Sequence, residues 1–286
     1  MKTVSGKYLK KPPWLRIKLT GAQYYRQMKG VLEAGKLNTI CESGACPNKG
    51  ECWGAGTATF MILGNVCTRS CRFCNVPTGK PATPDPFEPE QVAAAVASMG
   101  VRHCVITSVD RDDLADGGAS VWAATIAAIR ERSPRTTIEA LIPDFRGQEK
   151  DIRRVMETRP DVLSHNLETV RRLTREVRVF ADYDTSLGVI RYISTTSDIR
   201  TKSGIMLGLG ETEEEIIQTM DELLLAGCQV LTLGQYLQPT RKHLPVQHYV
   251  HPHDFERYGT LARDKGFRFV ESAPLVRSSY HAEKHV

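Results

Sequence analysis

The chain has 286 residues, enough for one large domain or two modest ones. Hydrophobic residues make up 41% and charged residues 25%, the balance of a globular protein. No apolar run approaches the roughly 18 residues of a membrane span. The net charge of +5 is mild. Its basic residues gather at the start (Lys7, Lys10, Lys11, Arg16, Lys18) and in DIRRVMETRP and VRRLTREVR, without interleaved aromatics. Solvated helix faces are expected there, and neither nucleic acid nor membrane as a partner. The N-terminus lacks the apolar core of a secretory signal, so a cytoplasmic location is expected.

In chain order, TATFMILG (Thr57–Gly64) predicts a strand: β-branched and aromatic residues bounded by glycine. EPEQVAAAVASMG predicts a helix with Pro89 in its first turn and Gly100 as its stop. HCVITSV is the next strand and ASVWAATIAAIRER the next helix; TTIEALI then precedes the helical QEKDIRRVMET. DVLSHNLET leads into two helical pieces, VRRLTREVR and DTSLGVIRYI. KSGIMLGLG precedes TEEEIIQTMDELLLAG, where Thr212 and Glu215 have capping-box spacing and Gly227 ends the helix. QVLTLGQYL, a helix from about Pro252 to Lys265, and FRFVESAP follow. There is no internal repeat. Strand and helix alternating about six times predict βαβ units and a parallel sheet with right-handed crossovers. Six repeats are too few for an eight-fold barrel and suit an open one: an α/β fold, a partial (β/α)6 TIM-like barrel. Reactive groups then belong at the C-terminal strand ends.

Six of the eight cysteines fall between Cys41 and Cys74. Cys104 and Cys228 stand alone in apolar surroundings and are expected as small buried hydrophobes. Without a secretion signal, clustered cysteines bind metal or do chemistry more often than they form disulfides. Cys67, Cys71 and Cys74 have the spacing Cys-x3-Cys-x2-Cys; Cys41, Cys46 and Cys52 have Cys-x4-Cys-x5-Cys. Three thiolates in one loop can cap three corners of a cubane iron–sulfur cluster and leave one iron open. They can equally form part of a zinc site completed from a distance. Placement directly after the first strand, and Phe73 just before the last cysteine, favour the cluster.

That triad with Phe73 resembles the motif of the radical S-adenosylmethionine (SAM) superfamily, and GIMLGLGE (Gly204–Glu211) resembles its glycine-rich segment against the adenine. With the upstream triad, the chain resembles the lipoyl synthase family within that superfamily. TICESGACPNKGECW, CTRSCRFCNV, TSVDRDDLADGGA, HNLETV, KSGIMLGLGE, LTLGQYLQPTRKHLPV and RSSYHA carry the likeness over nearly the whole chain. Methylthiotransferases and biotin-synthase-like enzymes also use an auxiliary cluster but are not expected to carry Arg-Ser-Ser-Tyr.

The resemblance implies a transferase that inserts two sulfur atoms at the sixth and eighth carbons of a protein-bound octanoyl-lysine. It implies two 4Fe-4S clusters and SAM. Cys67, Cys71 and Cys74 hold the radical SAM cluster, and SAM chelates its open iron. Cys41, Cys46, Cys52 and Ser279 hold the auxiliary cluster, which is consumed as the sulfur source. Phe73, Thr107, Asp110, Asn166, Glu168, Gly204, Gly208 and Glu211 are the implied SAM contacts, with no catalytic residue beyond the clusters and SAM. Implied partners are an octanoylated lipoyl carrier domain or glycine-cleavage carrier protein, an electron donor such as flavodoxin or ferredoxin, and a cluster-repair protein. The barrel is then expected over 57–240. An N-terminal extension, 1–56, and a C-terminal one, 241–286, cover its mouth.

Other residues have plainer readings. Asp112, Asp113 and Asp116 suit turns and a helix cap as well as a polar site. His165 is expected as a hydrogen-bonded structural histidine, and Arg178 as solvent-facing. Arg241, Lys242, His243 and His248 form a basic loop near the barrel exit, a candidate surface for the acyl-carrying domain.

Overall fold

The computed structural model describes residues 9–16, 29–33, 35, 37–44, 46, 48–54 and 57–286. Lys7 and Lys18 of the basic N-terminus lie outside the described residues. None of the described helices is long and apolar enough to cross a membrane.

Seven parallel strands form one sheet in simple sequence order. They are β1 Thr57–Ile62, β2 His103–Ser108, β3 Thr137–Leu141, β4 Val162–Ser164, β5 Arg200–Leu207, β6 Val230–Gln235 and β7 Phe269–Ser272. The main crossover helices are α1 Glu88–Ser98, α2 Ala119–Arg132, α3 Glu149–Met156, α4 Tyr183–Thr196, α5 Glu213–Leu225 and α6 Pro252–Lys265. Each strand pairs with its sequence neighbours, and β1 and β7 are the free edges, so the barrel is open as expected. Six βα units are followed by a seventh strand, which comes from the segment expected to lie outside the barrel.

Local signals explain the elements. β2 and β6 are covered on both faces and read as apolar runs without alternation. The Thr212–Glu215 capping box opens α5, and Gly227, at φ +83°, takes the left-handed turn that ends it. Two apolar clusters form the core. One gathers Phe60, Ile106, Trp122 and Ile126 between β1–β3 and their helices; the other gathers Leu207, Met220, Leu233 and Phe255 around β5 and β6. Cys104 and Cys228 are buried within them, as expected.

The barrel interior also holds charge. Lys202 Nζ lies 2.7 Å from Glu139 Oε2, and neither side chain has any exposure. Ser164 Oγ donates to the other oxygen of Glu139 at 2.8 Å. The turn Ala282–His285 completes this network from below. Lys202 Nζ donates to His285 Nδ1 at 3.2 Å, and the Arg200 guanidinium donates to the His285 carbonyl. The same turn touches the first residue of each edge strand. Thr57 Oγ1 donates to Glu283 at 3.2 Å, and the Phe269 and His285 rings lie 6.1 Å apart. It thus spans the opening between β1 and β7.

Burial, with Lys202 beside it, pushes the His285 imidazole down to about 3, so the ring is neutral and Nδ1 is free to accept. The unfolded chain binds a proton here below the ordinary value of 6.5, and the folded chain does not. Stability of the metal-free chain is therefore expected to fall as pH drops from 6.5 toward 3, by at most about 1.4 kcal/mol per pH unit from this residue. Urea unfolding of wild type and His285→Asn across that range checks it: the two curves should converge as pH falls.

Candidate active site at the C-terminal strand ends

The Cys67–Cys74 loop leaves β1 through Leu63 and Gly64, at φ +68° and +94°. Its backbone is tied down by Cys67 N–H to the Pro77 carbonyl, 2.8 Å, and Gly79 N–H to the Cys67 carbonyl, 2.9 Å. Two of its sulfurs receive backbone N–H groups. Cys67 Sγ accepts from Arg69 at 3.4 Å and Asp110 at 3.3 Å, and Cys74 Sγ from Val76 at 3.5 Å.

Arg69 fixes the loop from inside the triad. Its Nε and Nη2 reach both oxygens of Asp112 at 2.7 and 2.9 Å. Its Nη1 and Nη2 reach both oxygens of Asp144 at 2.7 and 2.8 Å. Asp110 stands 3.6 Å away. Asp144 begins a turn in which Phe145, Arg146 and Gly147 all have positive φ, and its Oδ1 caps the Arg146 N–H at 2.9 Å. Burial opposes ionisation of Asp144, but the Arg69 guanidinium outweighs it and holds the carboxyl below its usual range. At Asp110 burial prevails over the pull of Arg69, and it is lifted to about 6. Burial, then Asp110, pushes the Cys67 and Cys71 thiols up to about 11 and 12; burial raises Cys74 as well.

The second triad differs at one thiol: Cys41 and Cys52 are raised, and Cys46 is lowered. Cys41 sits in the turn Ile40–Ser43, and its carbonyl accepts the Cys46 N–H at 3.0 Å. A hydrogen bond with the Cys41 thiol brings Cys46 down to about 6 against its burial, helped by the Asn48 backbone, Arg277 and Lys49. Cys52, on the helix Lys49–Gly54, is pushed up to about 12 by burial. Residues 273–280 cross the top of β6 onto this segment. The Gln235 N–H donates to the Pro274 carbonyl at 3.2 Å, and Gly234 has no room for a Cβ, which would meet the Val276 oxygen at 2.1 Å. Asn48 Nδ2 donates to the Leu275 carbonyl at 2.6 Å, and the Tyr280 hydroxyl to Glu51 at 3.1 Å.

One cavity of about 480 Å³ opens between the two triads. Cys67, Cys71, Cys74, Cys41, Cys46 and Ser279 all line it, and Cys52 does not. Phe73, Thr107, Asp110, Asn166, Glu168 and Gly204 line it too. Glu168 holds φ +66° in a bridge to Ile205, and its carboxyl accepts from Asn166 Nδ2 at 3.0 Å. Burial raises its pKa. Asn166 Oδ1 is buried without a partner among the described residues. A Cβ on Gly204 would lie 2.3 Å from Thr232 Oγ1, so this floor admits no side chain.

One sequence expectation needs correction, at Arg178, and Gly208 and Glu211 have local roles of their own. Gly208 and Glu211 stand outside the cavity lining. The Glu211 carboxylate accepts the N–H groups of Gly208 and Leu209 and so closes the turn after β5. Gly208, at φ +103°, is packed against Gln235 and the His248 carbonyl. Arg178 is buried, not solvent-facing: it donates to the Leu167 carbonyl at 3.2 Å and Ser186 Oγ at 3.0 Å, and it lines the cavity. Other readings hold. Asp116 accepts the Gly118 and Ser120 N–H groups at the start of α2, both at 2.9 Å. His165 Nδ1 bonds the Ile142 carbonyl at 2.9 Å, and burial keeps its ring neutral at about 4. Arg241 and Lys242 are exposed and outside the cavity, whereas His243 Nε2 lies 2.9 Å from the Cys74 carbonyl. Sequence reasoning missed Arg69, Asp144 and Arg277; the available signals were an arginine inside each cysteine or serine motif and the turn-forming DFRG.

These residues fit an iron–sulfur cluster with SAM. Among the described residues no three Cys, His, Asp or Glu converge on a single ion, as closed zinc coordination requires; a cubane takes its thiolates on separate irons. The unpartnered Asn166 oxygen and the Glu168 carboxylate can accept from two ribose hydroxyls. Asp144→Ala, which removes one of the two carboxylates that grip Arg69 and leaves Asp112, is expected to cost about 1.5–3 kcal/mol in urea unfolding of the metal-free chain.

Residues 61–223 match the Radical SAM superfamily. Over 276 residues the chain is 59% identical to the lipoyl synthase of Flavobacterium psychrophilum, covering 96% of this chain and 95% of that one. It is 58% identical to the mitochondrial lipoyl synthase of Nematostella vectensis over the same shares. Among solved structures, the FeFe-hydrogenase maturase HydG of Carboxydothermus hydrogenoformans has a TM-score of 0.60 at 14% identity, covering 92% of this chain and 77% of that one. Methylornithine synthase has 0.56 at 13%, covering 75% and 70%. Such identities show the shared fold alone. Membership of the superfamily brings with it a 4Fe-4S cluster and SAM. The matches over nearly the full length, joined to an open barrel with three cysteines after its first strand, make this chain a radical SAM enzyme of the lipoyl synthase family.

Proposed function

We propose that this enzyme inserts two sulfur atoms into an octanoyl chain amide-linked to a lysine of a carrier protein, at its sixth and eighth carbons. The observation that supports this reading is a single cavity lined by cysteines of both triads and by Ser279. One substrate could there meet a radical source and a sulfur source. SAM and the clusters, when bound, supply the radical and sulfur chemistry that acid–base side chains lack.

The chain's own residues bind and orient. Cys67, Cys71 and Cys74 are the ligands of the first cluster, and Arg69 sets the spacing of their loop. Of the residues that line the cavity, Thr107 and Asp110 would hold the SAM amino group, Asn166 and Glu168 its ribose, and Gly204 its adenine, with Phe73 beside them. Cys41, Cys46, Cys52 and Ser279 are the ligands of the second cluster, the sulfur donor. Arg277 offsets the negative charge that gathers on Cys46. Serine oxygen is a hard and therefore labile partner for iron, which suits a cluster that is taken apart. The partners are an octanoylated lipoyl carrier domain or glycine-cleavage carrier protein, a reductant such as flavodoxin or ferredoxin, and a protein that rebuilds the spent cluster.

Anaerobic incubation with an octanoyl-lysine peptide, SAM and dithionite tests the reading: the peptide mass should rise by two sulfur atoms, as the reduced dithiol. Cys71→Ala is expected to abolish formation of 5′-deoxyadenosine. Cys46→Ala should keep that product and lose the sulfur-bearing peptide; sulfur insertion by Cys46→Ala would refute the donor assignment. Glu168→Ala should weaken SAM binding by about 1.5–3 kcal/mol, measured by equilibrium dialysis with the reconstituted protein.

A further inference from the structure

Ser279 comes to the second triad from far along the chain, so its position depends on contacts between distant segments. It lies inside a four-residue turn, closed by the Tyr280 N–H to the Arg277 carbonyl at 2.9 Å. Such a turn fixes the chain around Ser279 but not where the turn stands relative to Cys41, Cys46 and Cys52.

One short helix supplies that placement. Lys49–Gly54 carries Cys52, and Asn48 opens it, its carbonyl accepting the Cys52 N–H at 3.0 Å. Asn48 Nδ2 pins the chain before the turn, through the Leu275 carbonyl at 2.6 Å. Glu51 pins it after the turn: the Tyr280 hydroxyl donates to Glu51 Oε1 at 3.1 Å. Asn48 and Glu51 stand about one helical turn apart, so the two pins share a face. Together they grip the segment on either side of Ser279.

The second pin is more than one hydrogen bond. The Tyr280 and His281 rings stack, with centroids 3.9 Å apart and planes at 21°. His281 Nε2 lies 3.7 Å from the same Glu51 oxygen, and its Nδ1 3.7 Å from Glu271 Oε2 on β7. His281 also holds φ +52°, a left-handed backbone that few residues other than glycine adopt. Neither Tyr280 nor Glu51 lines the cavity. Each is instead the sequence neighbour of an assigned ligand: Tyr280 follows Ser279, and Glu51 precedes Cys52. Their hydrogen bond joins the two halves of that ligand set across 229 positions.

We infer that Tyr280 and Glu51 are a positioning pair, whose hydrogen bond holds the Ser279 oxygen within reach of the metal bound by Cys41, Cys46 and Cys52. The pair thereby sets how firmly the iron on the serine side is retained. The inference rests on the reading of Ser279 as the fourth ligand. Without the pair the turn keeps its shape but loses its hold on the helix, and three cysteines remain.

The metal-free full chain gives the first readout. Hydrogen exchange over residues 276–281 should quicken in Tyr280→Phe and Glu51→Ala. It should return toward wild type in Glu51→Gln, whose amide oxygen still accepts the hydroxyl. After anaerobic reconstitution, both disruptive variants should release iron to a chelator about three- to tenfold faster than wild type, the range of one net hydrogen bond. The double variant should be no faster than either single one. An electron paramagnetic resonance signal of a three-iron cluster should grow with that release in oxidised samples. Formation of 5′-deoxyadenosine with dithionite should stay at the wild-type rate.

Wild-type iron release in Tyr280→Phe and Glu51→Ala overturns the inference, as does a Glu51→Gln variant that behaves like Glu51→Ala. An equal loss of SAM cleavage also overturns it, because the pair would then support the fold at large. Ser279→Ala is the reference for a lost ligand. If it releases iron at the wild-type rate, the ligand reading itself fails and the inference with it. Fast release in Ser279→Ala beside wild-type release in Tyr280→Phe refutes only the pair.

Discussion

One guanidinium organises the mouth of this barrel. Arg69 lies inside the cysteine loop after β1, and the carboxylates that grip it come from the loops after β2 and β3. Each carboxylate uses both oxygens, the geometry in which arginine fixes direction as well as charge. The cysteine loop thereby acquires a set position relative to two other strand ends. Arg146 also reaches Asp112 at 3.1 Å, and burial, with Asp144 and Asp112 nearby, leaves Asp110 beside the sulfurs raised. Thiols in this setting keep their protons until a cation arrives to replace them.

The second triad is held on different terms. Arg277 and Lys49 supply positive charge, and Cys46 is poised as a thiolate even without metal. Its support comes from residues 273–280, across the top of β6, and not from buried carboxylates. Two sites with the same number of cysteines therefore differ in what surrounds them: one stands among negative side chains close to the strand ends, the other beside cations on a strap.

The fold was legible because strand and helix alternate with clear stops, such as Gly227 and the Thr212–Glu215 box. The cysteine triads and the residues after each strand were legible because the fold class fixes where strand ends point. What stayed hidden was long-range. The partners of Arg69 are 43 and 75 positions away, and no local pattern announces them. Arg178 follows a short charged turn that suggested solvent, yet its guanidinium folds inward to a backbone carbonyl and Ser186. The Glu211 carboxylate satisfies the N–H groups of the glycine-rich string it ends, a closure that the motif does not announce. Lys202 and Glu139 read as strand residues, and only closure of the barrel brings them together.

The turn Ala282–His285 ties assembly of the site to the order in which the chain is made. Thr57 meets Glu283 across 226 positions, so the foot of the barrel stays unsealed until nearly all of this sequence has emerged from the ribosome. The same late segment brings Ser279 to the cavity. A nascent chain can fold its first triad against β2 and β3 early, while the second site waits for its last wall.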